Sequence, residues 1–196
     1  MSECTHSPRG DDARPEAPPT AGLRWIKGGT LLSVPGWRAG VVSAGLKAES
    51  NDDLVVITAD TPRPVAAVFT RNRLPAAPVL LSRAVVGARA EVRAVVINSG
   101  NANALTGAQG LADARAMAAR VEQHVGGPVL VLSTGIIGVP LPMERVLDGV
   151  DRAAVQLATG HAAGNRLADA ILTTDTVRKT CALELDVGGL LVGDQT

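Results

Sequence analysis

Aromatic side chains are nearly absent from this chain, which has two Trp, one Phe and no Tyr among its 196 residues. Stacking platforms for single strands or for RNA need several rings, so that class of partner is disfavoured. An excess of either charge is missing too: 19 basic residues stand against 19 acidic ones, and a phosphate backbone finds no electrostatic grip. Cysteine is limited to Cys4 and Cys181, far apart, which argues against a disulfide framework and against a structural zinc site. His6, His124 and His161 show no ligand spacing, so no metal is expected. No apolar run reaches the roughly 18 residues of a membrane span. Residues 1–24 are polar and Pro-rich without a secretory h-region, and read as a disordered tail ahead of one domain over 25–196. These absences leave a cytoplasmic protein whose partner is a small molecule or another protein.

What is abundant is Ala, Val, Leu and Gly, arranged as short aliphatic runs punctuated by Gly and Pro. Residues 54–58, 65–70, 78–82, 94–98 and 128–132 read as strands, and runs this aliphatic are buried on both faces or nearly so. Over 109–125, Leu111, Ala114, Ala118, Val121 and Val125 recur at helical spacing, and Gly126-Gly127 supplies the stop. His124 falls off that stripe and reads as a solvated residue. A second helix opens at Pro142, with Met143, Val146, Leu147, Val150 and Ala154 inward. A third covers 165–172, and residues 180–187 alternate like a half-exposed strand. Grouped strands followed by interleaved helices predict an α+β or layered α/β domain.

Small polar residues cluster where these runs end, the usual place for sites on a rigid scaffold. Phe69-Thr70-Arg71-Asn72-Arg73 offers two guanidinium groups for a carboxylate, or else a solvated hairpin end. Asn98-Ser99-Gly100-Asn101-Ala102-Asn103 offers amides and glycines, either as cavity lining or as a structural turn. Ser133-Thr134-Gly135 can present a hydroxyl and a backbone N–H to one point, as a tetrahedral oxyanion requires. Thr173-Thr174-Asp175-Thr176 reads equally as capping and turn formation. The chain has no GxSxG elbow, GxGxxG after a strand, HExxH or Walker loop, so these rules identify no nucleophile.

Taken in order, several segments resemble the ornithine acetyltransferase family (ArgJ, bifunctional glutamate N-acetyltransferases). They are Pro35-Gly36-Trp37-Arg38-Ala39-Gly40, Ala44-Gly45-Leu46-Lys47, AVFTRNRLPAAPVLLSR over 67–83, VVINSGNANALTGAQGLADA over 95–114, LSTGIIGVPLPMERVLDGV over 132–150 and AILTTDT over 170–176. The resemblance implies an α+β fold, a layered α/β sandwich of the ArgJ/DmpA-like type, with this chain as its N-terminal half. It implies an Ntn-like acyltransferase of arginine biosynthesis. A peptide bond before an internal Thr breaks, and that Thr becomes the N-terminal nucleophile of a β chain. Acetyl passes from N-acetylornithine, or from acetyl-CoA as an alternative substrate, to glutamate, with no bound cofactor. By the same resemblance Thr134 and Gly135 form the oxyanion hole and Thr173 contacts the acetylated amino acid.

The family pattern continues past Val187-Gly188-Gly189 into a Lys-Gly segment and an Ala-Thr cleavage point, whereas this sequence reads Leu191-Val192-Gly193-Asp194-Gln195-Thr196. Leu105 stands where the family usually has Cys, and Arg178 where Pro is frequent. The expectation is therefore an α-chain portion, a hetero-oligomer with the β chain and inactive without it. The alternative is a non-catalytic truncated paralogue acting as a binding or assembly module.

Overall fold

A computed structural model describes residues 22–47, 51–88 and 91–186 of the chain. Its centre is a four-stranded sheet in the order β2-β3-β4-β5, formed by Trp37–Val42, Leu54–Arg63, Val92–Asn101 and Val129–Ile136. The first two pairings are antiparallel and the third, β4 with β5, is parallel. A parallel pair needs a crossover between its strands, and helix α2, Gly107–Val125, supplies it. Helices α1, Ala77–Gly87, α3, Met143–Val155, and α4, Gly160–Ala170, complete the helical layers. A separate ribbon pairs β1, Leu23–Trp25, with β6, Leu183–Leu185. The fold is α+β and layered.

Alternation along the strands divides the core in two, because successive side chains point to opposite faces. On one face Leu54, Val56, Val96 and Val131 meet Met117 and Val121 of α2 and Val146 and Val150 of α3. On the other, Ala39, Val41, Val55 and Ile57 meet Leu167 and Ala170 of α4 and Leu32 of a short 3-10 turn, Leu31–Ser33. Leu54, Val55 and Val56 are each 0% exposed, so β3 is buried on both sides, as its unbroken aliphatic sequence predicts. Among the described residues this second face is only partly covered. Helix α4 packs across β2 and the adjacent part of β3, while Leu132 and Ile136 of β5 stay 44% and 65% exposed.

Several expectations change. Residues 78–82 lie in α1, not in a strand: Ala77, Pro78 and Ser82 face inward at helical spacing, and a short apolar run cannot separate the two periods by itself. Residues 65–70 form an irregular exposed segment, since β3 ends at Arg63 before Pro64, whose ring removes a ladder donor. Helix α4 starts five residues earlier than expected and ends at Ala170, and β2 was not anticipated from the sequence. Of the alternating stretch at 180–187, only Leu183–Leu185 pairs, and residue 187 lies outside the described residues. The tail expected over 1–24 lies outside them up to residue 21, and Leu23 already belongs to β1. Pro142 does open the second helix, as the residue before Met143. Among the described residues no helix is long and apolar enough to cross a membrane.

Met117 is 0% exposed between the sheet and two helices, whereas Val155 ends α3 at 76% exposure. Met117→Ala should therefore lower unfolding free energy by about 2 to 5 kcal/mol. Val155→Ala should change it by less than about 0.5 kcal/mol, with urea denaturation as the measurement. Equal costs would contradict the core described above.

Candidate functional site

The C-terminal ends of the parallel strands β4 and β5 open onto a cavity of about 870 Å³. Gly100 contributes from β4, and Thr134, Gly135 and Ile136 contribute from β5. Leu46, Lys47, Asn51 and Asp52 come from the β2–β3 connection; Asp169 ends α4, and Leu172, Thr173 and Thr174 follow it. Clefts beyond the carboxyl ends of parallel strands are where α/β sheets characteristically hold ligands. Thr134 and Gly135 thus line one cavity with Thr173, which is distant from them in sequence. β5 runs on through Ser133-Thr134-Gly135 to Ile136, beyond the strand expected over 128–132.

Backbone proximity shapes this corner. Gly135 has φ 132°, and a Cβ there would lie 2.3 Å from the Gly100 carbonyl carbon. Gly100 has φ 100°, and its Cβ would lie 2.7 Å from the Leu46 carbonyl oxygen. Both positions therefore require glycine, for conformation and for space. The β2–β3 connection is held against them by Asp53, 1% exposed, whose carboxylate accepts the N–H groups of Ala44 at 2.6 Å, Leu46 at 2.6 Å and Lys47 at 3.0 Å. Such charge-assisted bonds are the strong ones. The Asp53 carbonyl in turn accepts the Ser99 N–H at 2.8 Å.

The three asparagines at the end of β4 and just beyond it, Asn98, Asn101 and Asn103, take the structural alternative. Asn98 receives the Ser133 hydroxyl at 2.5 Å and donates to the Asn101 carbonyl at 2.7 Å. Asn101 donates to the Val139 carbonyl at 3.0 Å, and Asn103 donates to the Gly110 carbonyl at 2.8 Å. All three are buried and brace the loop that carries the chain into α2. Asn103 and Leu105 sit at φ 45° and 56°, a region that Asn tolerates better than most residues. The candidate guanidinium clamp also resolves as a turn: Asn72 N–H bonds the Thr70 hydroxyl at 3.1 Å, and the segment does not line the cavity. His124 is not merely solvated, since its ring nitrogen meets Asp151 of α3 at 2.8 Å beside Arg120.

Charge at the cavity was not legible beforehand. Asp52 accepts two bonds from Arg166, at 2.7 and 2.9 Å, and Asp169 two from Arg178, at 2.5 and 2.7 Å. The bond to Asp52 holds the Arg166 guanidinium above its ordinary value, with burial opposing. Burial pushes the Lys47 ammonium below the ordinary lysine value, against the pull of Asp53 and Asp52. Its Nζ donates to the carbonyl of Ala170 at 2.8 Å, which also accepts the Ser99 hydroxyl at 2.5 Å. The motif Ala44-Gly45-Leu46-Lys47 was the only sequence signal for this residue. Among the described residues no cluster of His, Cys, Asp and Glu could hold a metal ion.

A layered α+β domain in which Thr134, Gly135 and Thr173 line one cavity at strand ends defines a class of small-molecule site. Comparison with known proteins narrows the class. Residues 38–193 match the model of the ArgJ family. The arginine biosynthesis bifunctional protein ArgJ of Geobacter sulfurreducens is 45% identical over 164 residues, covering 81% of this chain and 40% of the relative. That of Gloeobacter violaceus is 41% identical over 175 residues, covering 88% of this chain and 42% of the relative. Among solved structures, ornithine acetyltransferase from Mycobacterium tuberculosis, in complex with ornithine, superposes with a TM-score of 0.76 at 34% identity, covering 88% of this chain and 98% of that chain. The chain belongs to the ArgJ family. It spans about two-fifths of the length of the curated relatives it matches.

The close approach at Gly135 can be isolated from its unusual φ. Gly138 has φ 83° with open space around it, so Gly138→Ala should cost only the conformational penalty of about 1 to 2 kcal/mol. Gly135→Ala must in addition displace the Gly100 backbone and should cost distinctly more in urea denaturation. Equal losses would remove the packing constraint.

Proposed function

We propose that this chain supplies the oxyanion hole and part of the substrate cavity of an acetyltransferase of arginine biosynthesis. The enzyme moves acetyl from N-acetylornithine, or from acetyl-CoA, to glutamate in the cytoplasm. The observation that carries this reading is that Thr134 and Gly135 share a cavity with Thr173 at the open end of β5. Membership of the ArgJ family and the similarity to a protein solved with ornithine support the choice of substrate.

In this reading the nucleophile is a Thr at the start of a β chain, formed when the longer family polypeptide cleaves itself. Its own amine serves as base, so no histidine is needed. The Thr hydroxyl oxygen attacks the acetyl carbonyl, and the electron pair moves to the carbonyl oxygen. The Thr134 hydroxyl and the Gly135 N–H donate to that oxyanion. Collapse expels the protonated ornithine amine and leaves acetyl on the Thr. The amine of glutamate then attacks the same carbon, a second oxyanion forms in the same hole, and acetylglutamate leaves with the Thr hydroxyl restored. Thr173 holds the amino-acid part of the substrate. Among the described residues β5 is the last strand of its sheet, so N–H groups along its outer edge have no ladder partner, although the Ser82 hydroxyl takes that of Val131. The part-covered apolar face at Leu132 and Ile136 gives the β chain a surface to pack on.

Combining the chain with one that begins at the family's Thr should restore acetyl transfer from N-acetylornithine to glutamate, read as acetylglutamate formed. No transfer would sink the proposal. In that preparation Thr134→Ala should lower kcat by about 100- to 1,000-fold. Its unfolding free energy should shift by no more than about 1 kcal/mol. Thr173→Ala should act mainly on KM, as the loss of a binding contact does. Undiminished turnover in Thr134→Ala would remove it from the oxyanion hole.

A further inference from the structure

Charges around the cavity differ in how closely they are paired. Its acidic lining residues, Asp52 and Asp169, are each taken bidentately by a guanidinium, from Arg166 and Arg178. The adjacent carboxylate of Asp53 is enclosed by three backbone N–H groups. Lys47 is the only cation among the described residues that line the cavity. It makes no close ion pair with another described residue, although the carboxylates of Asp53 and Asp52 attract it through space. Instead its Nζ is held by two neutral carbonyls, of Ala170 at 2.8 Å and of Asp52 at 3.3 Å. An ammonium has three N–H donors, so one remains beyond these two.

We propose that Lys47 anchors the carboxylate of the amino-acid ligand that occupies this cavity, an assignment that rests on the acetyltransferase reading above. The two carbonyls fix the ammonium before any ligand arrives, so little side-chain freedom is lost on binding. They do not neutralise it, and a half-buried charge is screened less than one on the open surface. Burial already disfavours the charged head, and a carboxylate is the group that would restore what burial removes. Lys47 is thus assigned to binding and selection of the ligand, while the chemical step stays with Thr134, Gly135 and the Thr nucleophile. The competing role is a brace: by gripping the Ala170 carbonyl, Lys47 could do no more than hold the end of α4 and the Thr173 segment behind it.

Ornithine and putrescine separate the two roles, because putrescine is ornithine without its carboxylate. Their affinities would be measured by titration calorimetry on the reconstituted two-chain protein. The wild type should prefer ornithine by about 10- to 100-fold, the value of one charge-assisted bond. Lys47→Met should bind both ligands at the putrescine level, and Lys47→Arg should keep most of the preference. Equal affinities in the wild type, binding of neither ligand, or a Lys47→Met protein weakened equally for both would overturn the anchor. Acetyl transfer is assayed on the same preparation as a separate readout. Discrimination that depends on Lys47 without any transfer would leave the anchor standing and remove the transferase reading alone.

Discussion

At Gly100 three stretches of backbone lie against one another with no side chain between them: the end of β5 at Gly135, the end of β4 at Gly100 itself, and the β2–β3 connection at Leu46. Everything distinctive about the cavity depends on that contact. Parallel pairing of Asn98 with Ser133 and of Gly100 with Gly135 carries the ladder to the rim, where strands usually diverge. Close packing of backbone gains dispersion energy but leaves N–H and C=O groups that must each find a partner. The Asp53 carboxylate, at the end of the β2–β3 connection, meets this demand on one side by taking donors from Ala44, Leu46 and Lys47 of the same connection. Ser99 meets it on the other, joining the carbonyls of Asp53 and Ala170.

A division of labour among polar residues follows. Asn98, Asn101 and Asn103 are buried and donate their amide N–H groups to backbone carbonyls, while the amide oxygens of Asn98 and Asn103 accept the hydroxyls of Ser133 and Thr106 and that of Asn101 accepts a backbone N–H, since an amide offers both a donor and an acceptor. Thr134, Thr173 and Thr174 line the cavity instead. A hydroxyl is small and rotates to suit its partner, so it can serve a ligand without a large pocket of its own. Leaving any one of the buried amides unpaired would cost about 1 to 3 kcal/mol, which makes the loop expensive to deform. The rim therefore holds its shape without help from a ligand.

Sequence patterns revealed the elements whose period was long and clean. Helices α2 and α3 show repeated apolar positions over several turns, and β3, β4 and β5 show unbroken aliphatic runs. Helix α1 was misread because its apolar run is only a few residues long, and β2 was missed because Gly40 and Arg38 break its aliphatic character. At the site, the hydroxyl and glycine of Thr134 and Gly135 stood out as an anomaly in an apolar context. Lys47, Asp52 and Asp169 did not, since a charged residue in a loop is unremarkable until the fold brings loops together. Neither did Asp53, whose importance lies wholly in backbone donors that sequence does not display.

Under the proposed reading, the exposed end of β5 links stability to chemistry. Oxyanion donors are effective where water is excluded and the local dielectric is low. In this chain residues of α4 and of the β2–β3 connection line one side of the rim, while Ile136 at 65% exposure and Ile137 at 61% stand on the other. Burying side chains of that size gains roughly 1.5 to 3 kcal/mol each. A partner surface laid over them would thus be held by the same apolar contact that dries the donors. Under the proposed reading, association with the β chain and completion of the oxyanion hole are one event: the strand that carries Thr134 and Gly135 is also the strand whose apolar end calls for cover.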